Sequence, residues 1–270
     1  MRATTVLVGT VLLSIGFVYA VACQTGAASS TASATAANGT VRATSGGYVF
    51  EQGESVAVEI VRGDPCPCLC DPLLVTGFSI RDQEGAAVRF ATESPSPTVP
   101  VPFDQWLGVW DVLRPDGAPI VEGTYTLTVD TNLGTFVATA EIVAPGMAWR
   151  RGLAASQASV CSMELRVYRM IDERHAATDI RLRRGDRLLA RLPGNVTTGF
   201  VWQCDRIPEI LTAIPGREYV TAAVHVGAPG WFLLRYDATA SGEGGLSFSY
   251  RRPWESVAPA ETYDVTITTQ

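Results

Sequence analysis

Thr124-Tyr125-Thr126-Leu127-Thr128-Val129 alternates threonine with larger apolar residues over six positions. A period of two is typical of a strand with one face in a core and the other toward solvent. Asn132-Leu133-Gly134 follows as a turn, and residues 135–143 return as a partner strand. Upstream, Ser55-Val56-Ala57-Val58-Glu59-Ile60 repeats the alternation. These stretches predict sheets that bury one face.

The composition extends this prediction to the whole chain. The 270 residues include 25 glycines and 16 prolines, and 47% of them are hydrophobic, which suits an all-β protein with many turns. We predict an all-β fold with two tandem Ig-like β-sandwich domains, residues 48–145 and 160–270, joined by a linker over 146–159. The strand-like runs of the second domain are 164–171, 179–192, 219–224, 231–238, 246–251 and 262–268.

Three short segments of the first domain resemble the end of bacterial Ig-like modules found in envelope proteins. They are Val109-Trp110-Asp111, Arg114-Pro115-Asp116-Gly117 and Glu122-Gly123-Thr124-Tyr125. The resemblance implies a sandwich fold and no activity. Such modules act as spacers or docking surfaces.

The first residues have the composition of an export signal. Arg2 precedes an apolar run from Thr4 to Tyr19, which is short for a membrane-spanning helix, so residues 1–22 are predicted to be a signal peptide. Ala20-Val21-Ala22-Cys23 resembles a bacterial lipobox, although Ala20 stands where Leu, Val or Ile is usual. The resemblance implies that Cys23 is lipidated and becomes the mature N-terminus.

Residues 23–47, which begin with Cys23, are rich in Ala, Ser, Thr and Gly and lack periodicity. Such a segment buries too little apolar surface to offset its ordering entropy, so we predict a flexible tether. The chain is then a lipoprotein of the bacterial cell envelope, anchored to the membrane through a lipid on Cys23. The alternative is plain secretion.

Charge and residue types argue against several classes of function. The net charge of −6 argues against a nucleic-acid-binding protein, which carries a basic surface. All 21 basic residues are arginine, which removes every lysine-dependent mechanism. The two histidines, His175 and His225, lie near no nucleophile motif. We therefore expect a monomer that is not an enzyme and has no cofactor.

Six cysteines allow two interpretations. Cys66-Pro67-Cys68-Leu69-Cys70 could hold a metal or act in redox chemistry, but the usual two-residue cysteine spacing is missing. We therefore expect no metal and favour disulfides, as in other exported proteins, with a pairing that the sequence leaves open. The cysteines available besides Cys23 are Cys66, Cys68, Cys70, Cys161 and Cys204, and the last two share the second domain.

Two motifs in the second domain carry a family resemblance. Asn195-Val196-Thr197-Thr198-Gly199-Phe200 lies between strand-like runs and combines small, hydroxyl-bearing and aromatic residues. It resembles the Asn-Pro-Thr-Thr-Gly-Phe motif of chagasin-type inhibitors of cysteine peptidases. Arg252-Pro253-Trp254 matches the Arg-Pro-Trp motif of that family. Val196 replaces the family's proline, which fixes φ.

The third motif of the family is a Gly-x-Gly-Gly loop, and two stretches compete for it. Gly242-Glu243-Gly244-Gly245 fits the pattern literally but lies only six residues before Arg252. Gly227-Ala228-Pro229-Gly230 leaves room for two strands before Arg252, as the hairpin of the family requires. We therefore choose Gly227, Ala228, Pro229 and Gly230 as the contact loop, with Pro229 in place of a glycine.

The resemblance implies a reversible, non-covalent inhibitor of papain-like cysteine peptidases. Residues 195–200 would enter the active-site cleft and place Thr197 and Thr198 over the catalytic cysteine. Residues 227–230 would brace one side, and Arg252 and Trp254 would hold the other, as aromatic and arginine anchors commonly do. The alternative is a non-inhibitory binding or adhesion module of the envelope. The sequence does not identify the target peptidase.

Overall fold

The computed structural model describes residues 35–37, 40–62, 74–88, 105–111, 120–132, 134–147, 158–160, 163–216, 219–221 and 227–270. These residues contain no α-helix, only the 3₁₀ turns Glu173–His175 and Val196–Thr198. The prediction of an all-β chain is therefore confirmed. The strands are β1 (Thr35–Ala37), β2 (Thr40–Glu51), β3 (Ser55–Arg62), β4 (Val75–Arg81), β5 (Ala87–Val88), β6 (Gln105–Asp111), β7 (Gly123–Thr131), β8 (Gly134–Val143), β9 (Ala158–Val160), β10 (Met163–Ile171), β11 (Asp179–Leu182), β12 (Arg187–Gly194), β13 (Val201–Arg206), β14 (Leu211–Ile214), β15 (Tyr219–Thr221), β16 (Gly230–Ala238), β17 (Gly242–Arg251) and β18 (Glu261–Thr269).

The first sandwich is built on a six-stranded sheet with the order β1-β2-β8-β7-β4-β5. Its centre is the predicted hairpin, in which β7 and β8 pair antiparallel up to Thr131 opposite Gly134. The alternation in β7 corresponds to alternating burial, as predicted. Tyr125, Leu127 and Val129 are buried, and the threonines between them are partly exposed. These side chains pack in one core with residues of β3 and β6, including Val58, Ile60 and Trp110.

The second sandwich is closed by a four-stranded sheet with the order β11-β18-β17-β13. It faces β12, β14 and β16, which belong to a second sheet. The strand-like run over 179–192 forms two strands in different sheets, β11 and β12, and the Arg184-Gly185-Asp186 turn separates them. The buried core comprises, among others, Leu188, Leu192, Trp202, Phe232, Phe248, Val265 and Ile267.

One eight-stranded sheet runs through both sandwiches. Its main path is β14-β16-β12-β10-β3-β6, with β9 and β15 paired to β10 and β16. Strand β10 pairs antiparallel with β3 from Met163↔Arg62 to Met170↔Ser55. On its other side it pairs parallel with β12, where Met170 lies opposite Leu189. The sequence did not predict this continuity, and the domain boundaries at 145 and 160 stay a prediction.

The structure also differs from the predicted tether of residues 23–47. Strand β2 begins at Thr40, eight residues before the predicted start of the first sandwich at Tyr48, and pairs parallel with β8 from Arg42↔Thr135 onward. Backbone pairing with the free side of β8 therefore extends order into this segment. The predicted signal peptide and Cys23 lie outside the described residues. Within the described residues, no helix is both long enough and apolar enough to cross a membrane.

Candidate functional site

The loop between β12 and β13 is a capped 3₁₀ turn. The side-chain Oδ1 of Asn195 accepts hydrogen bonds from the backbone N–H of Thr197 (3.0 Å) and from its hydroxyl (2.7 Å). The Thr198 hydroxyl donates to the Asn195 carbonyl oxygen (2.6 Å). Gly199 then ends the turn in the left-handed region, with φ of 81°. Both threonine hydroxyls thus stabilise the loop, while the two side chains and that of Val196 remain exposed.

Aromatic rings support the base of this loop. Tyr250, at the end of β17, accepts a hydrogen bond from the Asn195 N–H at 3.0 Å. Its ring centroid lies 5.2 Å from the centroids of both Phe200 and Trp202. Trp202 is buried in the core and donates its indole N–H to the Pro193 carbonyl oxygen at 2.8 Å. Tyr250, a residue that the sequence motifs did not indicate, therefore holds Phe200 and Trp202 together at the base of the loop.

The loop at residues 227–230 lies directly beside the first. Asn195 donates its side-chain N–H to the Gly227 carbonyl oxygen at 3.0 Å. Ala228 is buried and Pro229 is exposed. Gly230 starts β16 between Gly194 and Thr221, its partners on the two sides. A β-carbon on Gly230 would collide with the Val220 carbonyl oxygen, so this backbone approach requires glycine there.

The third loop begins with Arg252, whose guanidinium group contacts three groups. Its Nε donates to the Thr198 carbonyl oxygen at 3.1 Å, and one terminal nitrogen donates to Glu255 at 2.8 Å. The guanidinium carbon lies 4.6 Å from the Phe200 ring centroid, within the range of a cation–π interaction. Arg252 thus connects the first loop to the third.

Trp254 is the most exposed large apolar side chain described, at 69%. One edge of its ring covers Gly199, where an added β-carbon would lie 2.6 Å from the ring. Pro253 beside it is also exposed. The third loop therefore presents an aromatic face to solvent while restricting the first loop from the side.

The competing glycine stretch lies at the other end of the second sandwich. Gly242 to Gly245 form the start of β17 and pair with Thr266 to Thr269. Nine residue steps along β17 separate Gly242 from Arg251, a strand length of about 30 Å. Residues 195–200, 227–230 and 252–254 are thus brought together, and 242–245 are not.

The sequence motifs did not indicate three residues that support the three loops, namely Tyr219, Tyr250 and Glu255. The alternation of β17 was a usable signal for Tyr250, because Leu246 and Phe248 already point into the core. The Tyr219 hydroxyl lies 3.3 Å from the Gly194 carbonyl oxygen, and burial raises the pKa of this phenol. It therefore stays protonated and able to donate at neutral pH.

The described part of the chain offers no group of three or more His, Cys, Asp and Glu side chains suited to a metal. Cys66, Cys68, Cys70 and Cys161 lie outside the described residues. Cys204 has a free thiol in the structure, and the disulfides expected among the cysteines stay a prediction. The thiol donates to the Arg206 carbonyl oxygen at 3.4 Å, and burial raises its pKa.

Comparison with known proteins finds one family model and several similar proteins. The model of the chagasin family of peptidase inhibitors (I42) matches residues 181–267. Amoebiasin-1 of Entamoeba histolytica is 30% identical over 96 residues, which cover 34% of this chain and 91% of that protein. The cysteine protease inhibitor EhICP2 from Entamoeba histolytica is 16% identical, with a TM-score of 0.35, over 37% of this chain and 94% of that one. PbICP-C, solved in complex with falcipain-2, is 19% identical, with a TM-score of 0.29, over 37% of this chain and 98% of that one.

The fold and the three loops thus define an all-β protein that presents three connected loops at one end of a sandwich. The match to amoebiasin-1 covers nearly the whole of that protein, and the family model covers most of the second sandwich. The chain belongs to the chagasin family of peptidase inhibitors.

Proposed function

We propose that the protein is a reversible, non-covalent inhibitor of papain-like cysteine peptidases that occludes the active-site cleft with its three loops. The observation that carries this proposal is the direct bonding of the three loops to one another. Asn195 bonds to Gly227, and Arg252 bonds to Thr198, within a chain that belongs to a family of peptidase inhibitors.

The first loop is suited to enter a cleft. Val196, Thr197 and Thr198 form its exposed surface, and the threonine hydroxyls are used inside the loop. The loop would therefore present mainly methyl groups, which lose little on desolvation. Because its conformation is fixed before binding, little entropy is lost on association.

The hydrogen bonds within the first loop also fix the turn at Val196, which stands where family members have proline. Family members have proline there, which fixes φ, whereas this chain fixes the same turn with the Asn195 cap and the left-handed Gly199. A loop held in this way need not place a scissile carbonyl in the geometry of attack, and misplacement alone slows such a reaction steeply. This supports inhibition that persists without cleavage.

The flanking loops would bind the cleft walls. Residues 227–230 would brace one side through their backbone and the exposed Pro229. On the other side, Trp254 would pack its exposed ring against the peptidase. Burying a tryptophan at an interface commonly contributes about 2 kcal/mol or more. We propose no catalytic residue, metal or cofactor for this function.

Titration of papain with the mature full-length chain tests the proposal. We expect stoichiometric loss of activity at micromolar protein, recovery on dilution, and a 1:1 complex in size-exclusion chromatography. Thr198→Arg should abolish inhibition, because its side chain would extend into the cleft space. Thr212→Arg, at an exposed threonine of β14 far from the three loops, is the matched control and should inhibit normally.

Full peptidase activity in the presence of the folded chain would contradict the proposal. It would favour the alternative function, a non-inhibitory binding module. Unchanged potency of Thr198→Arg would instead show that another surface inhibits. Folding of each variant is verified by circular dichroism before titration.

We further propose that the chain acts as a monomeric lipoprotein of the bacterial cell envelope, attached through Cys23. The support is the sequence of residues 1–23 alone. Cys23→Ser should move the protein from the membrane fraction to the soluble fraction. Mass spectrometry of the mature N-terminus should find a diacylglyceryl group on Cys23, and an unmodified N-terminus would indicate plain secretion.

A further inference from the structure

Strand β10 pairs with a strand of each sandwich, and β9 pairs with its first residues. It forms eight registered pairs with β3, from Met163↔Arg62 to Met170↔Ser55, but only three with β12, from Arg169↔Leu188 to Ile171↔Ala190. Most of its backbone bonds thus join it to the first sandwich, although it leads directly into the second. Separating the two sandwiches would break either the three pairs with β12 or the eight pairs with β3, and unpaired backbone groups are costly when they are buried.

The side chains of β10 are divided in the same way. Leu165 and Val167 are buried in the core of the first sandwich. Ile171, a few residues further on, is buried in the core of the second. On the other face, Tyr168 and Met170 pack in a third buried cluster with Ala57 of β3 and Leu189 of β12. One strand therefore contributes to every large apolar cluster of the described residues.

A buried ion pair joins the sandwiches on the face of the sheet that carries this third cluster. Arg235 of β16 bonds to both carboxylate oxygens of Glu59 of β3, with a shortest distance of 2.6 Å. Their side chains are 1% and 0% exposed. Tyr168 of β10, which lies between their strands, donates its hydroxyl to Glu59 at 2.8 Å. A buried charge that loses its partner is strongly destabilising, so this pair penalises any separation of β3 from β16.

A second polar connection lies at the opposite face of β10. The Arg169 Nε lies 2.8 Å from a carboxylate oxygen of Glu54, in the turn before β3, and another nitrogen donates to the Val49 carbonyl oxygen at 3.3 Å. The same guanidinium group donates to the Arg181 carbonyl oxygen of β11 at 2.8 Å. Arg169 thus joins both sandwiches from a buried position.

We propose that the two sandwiches form one cooperative folding unit, in which the first sandwich completes the sheet that carries two of the three contact loops. The family match begins at Arg181, after β10, so this unit extends well beyond the part shared with relatives. The first sandwich is then a structural component of the inhibitor rather than a spacer. This proposal does not depend on peptidase binding and stands even if the proposed function fails.

Hydrogen exchange on the mature full-length chain tests this unit. Leu127 is buried in β7, in a sheet whose described strands all belong to the first sandwich. Leu127→Ala should lower the protection of the slowest amides of β7 and β8 by about a hundredfold. In a cooperative unit, the slowest amides of β17 and β18 should lose protection by the same factor. Val121→Ala, at an exposed site of the same sandwich, is the control and should change neither.

Unchanged protection in β17 and β18, together with reduced protection in β7 and β8, would overturn the proposal. Ile142→Val is the milder variant to use if Leu127→Ala does not fold, with an expected decrease of about 2- to 10-fold in both sandwiches. Differential scanning calorimetry of the unsubstituted chain provides an independent measurement. A single unfolding transition whose midpoint temperature is lowered by Ile142→Val would support one cooperative unit. Two transitions, of which Ile142→Val lowers only one, would contradict it.

Discussion

The Nε of Arg252 donates a hydrogen bond of 3.1 Å to the carbonyl oxygen of Thr198, a residue 54 positions earlier in the chain. This bond joins the two loops whose motifs are most similar to those of the family. It also orients the guanidinium group over Phe200 at the base of the first loop. The third loop therefore supports the first one before any partner is bound.

Arg252→Leu should raise the inhibition constant for papain about 10-fold, because two charge-assisted hydrogen bonds, to the Thr198 carbonyl oxygen and to Glu255, and one cation–π contact are lost. The amides of Gly199 and Phe200 should also exchange faster in the free protein. Arg251→Leu removes the same charge from the neighbouring residue, which bonds to Ser249 and Asp205 instead, and should leave both measurements unchanged. A higher inhibition constant with unchanged exchange would show that Arg252 acts only by touching the peptidase.

Gly199→Ala should weaken inhibition about 10-fold or more. An alanine in the left-handed region costs about 1–2 kcal/mol, and its β-carbon would displace the Trp254 ring. Gly185→Ala is the matched control, because Gly185 has φ of 95° with no atom near the added carbon. The control should lose similar stability in thermal unfolding but inhibit normally. Equal potency of the two variants would contradict the packing role of Trp254.

The Glu59–Arg235 pair should show strong coupling in a double-mutant cycle. Glu59→Leu or Arg235→Leu alone should lower the free energy of unfolding by about 3–5 kcal/mol, because each leaves a buried charge without its main partner. The double variant should be more stable than either single variant, since no charge remains to be buried. Chemical denaturation measures all four proteins. Simple addition of the two single effects would show that the pair is not coupled.

Acid should destabilise the protein partly through Asp172. Burial favours the neutral carboxyl group, but hydrogen bonding with His175 and Arg174 prevails and holds the pKa of Asp172 well below its usual range. The folded state therefore resists protonation that the unfolded state accepts near pH 3.8. This stabilisation is complete above that pH and is lost as the pH falls through the folded pKa.

Asp172→Asn should therefore flatten the decline of stability below about pH 4, by up to about 1.4 kcal/mol per pH unit, the slope for one proton. Urea unfolding at a series of pH values measures this slope. Asp82→Asn, in an exposed turn of the first sandwich, is the matched control. If Asp172→Asn left the dependence of stability on pH unchanged, protonation of Asp172 would not be a cause of the acid destabilisation.

Local patterns were enough to predict much of the fold. Alternation located the hairpin over residues 124–143, because burial of every second side chain is recorded directly in the sequence. Turn residues separated most of the later strands. The two family motifs, together with strand spacing, selected residues 227–230 over 242–245 as the loop beside Asn195, and the structure has Gly227 bonded to Asn195.

The partners of the strands could not be predicted in this way. Glu59 is 109 residues from Tyr168 and 176 residues from Arg235, and no local period encodes such a contact. In isolation, the alternation of β3 predicts a polar outer residue at Glu59, whereas the structure buries it against a second sandwich. Tyr250 was missed for a related reason, because its role depends on residues far from it in the chain.

The register of the shared sheet determines how far the loops project. Ser55, the first residue of β3, lies level with Leu189 across β10, and β12 continues for five more residues to Gly194. Five strand residues span about 17 Å. The strand ends that carry two of the contact loops thus lie beyond the near end of β3 by more than the spacing of about 10 Å between packed sheets.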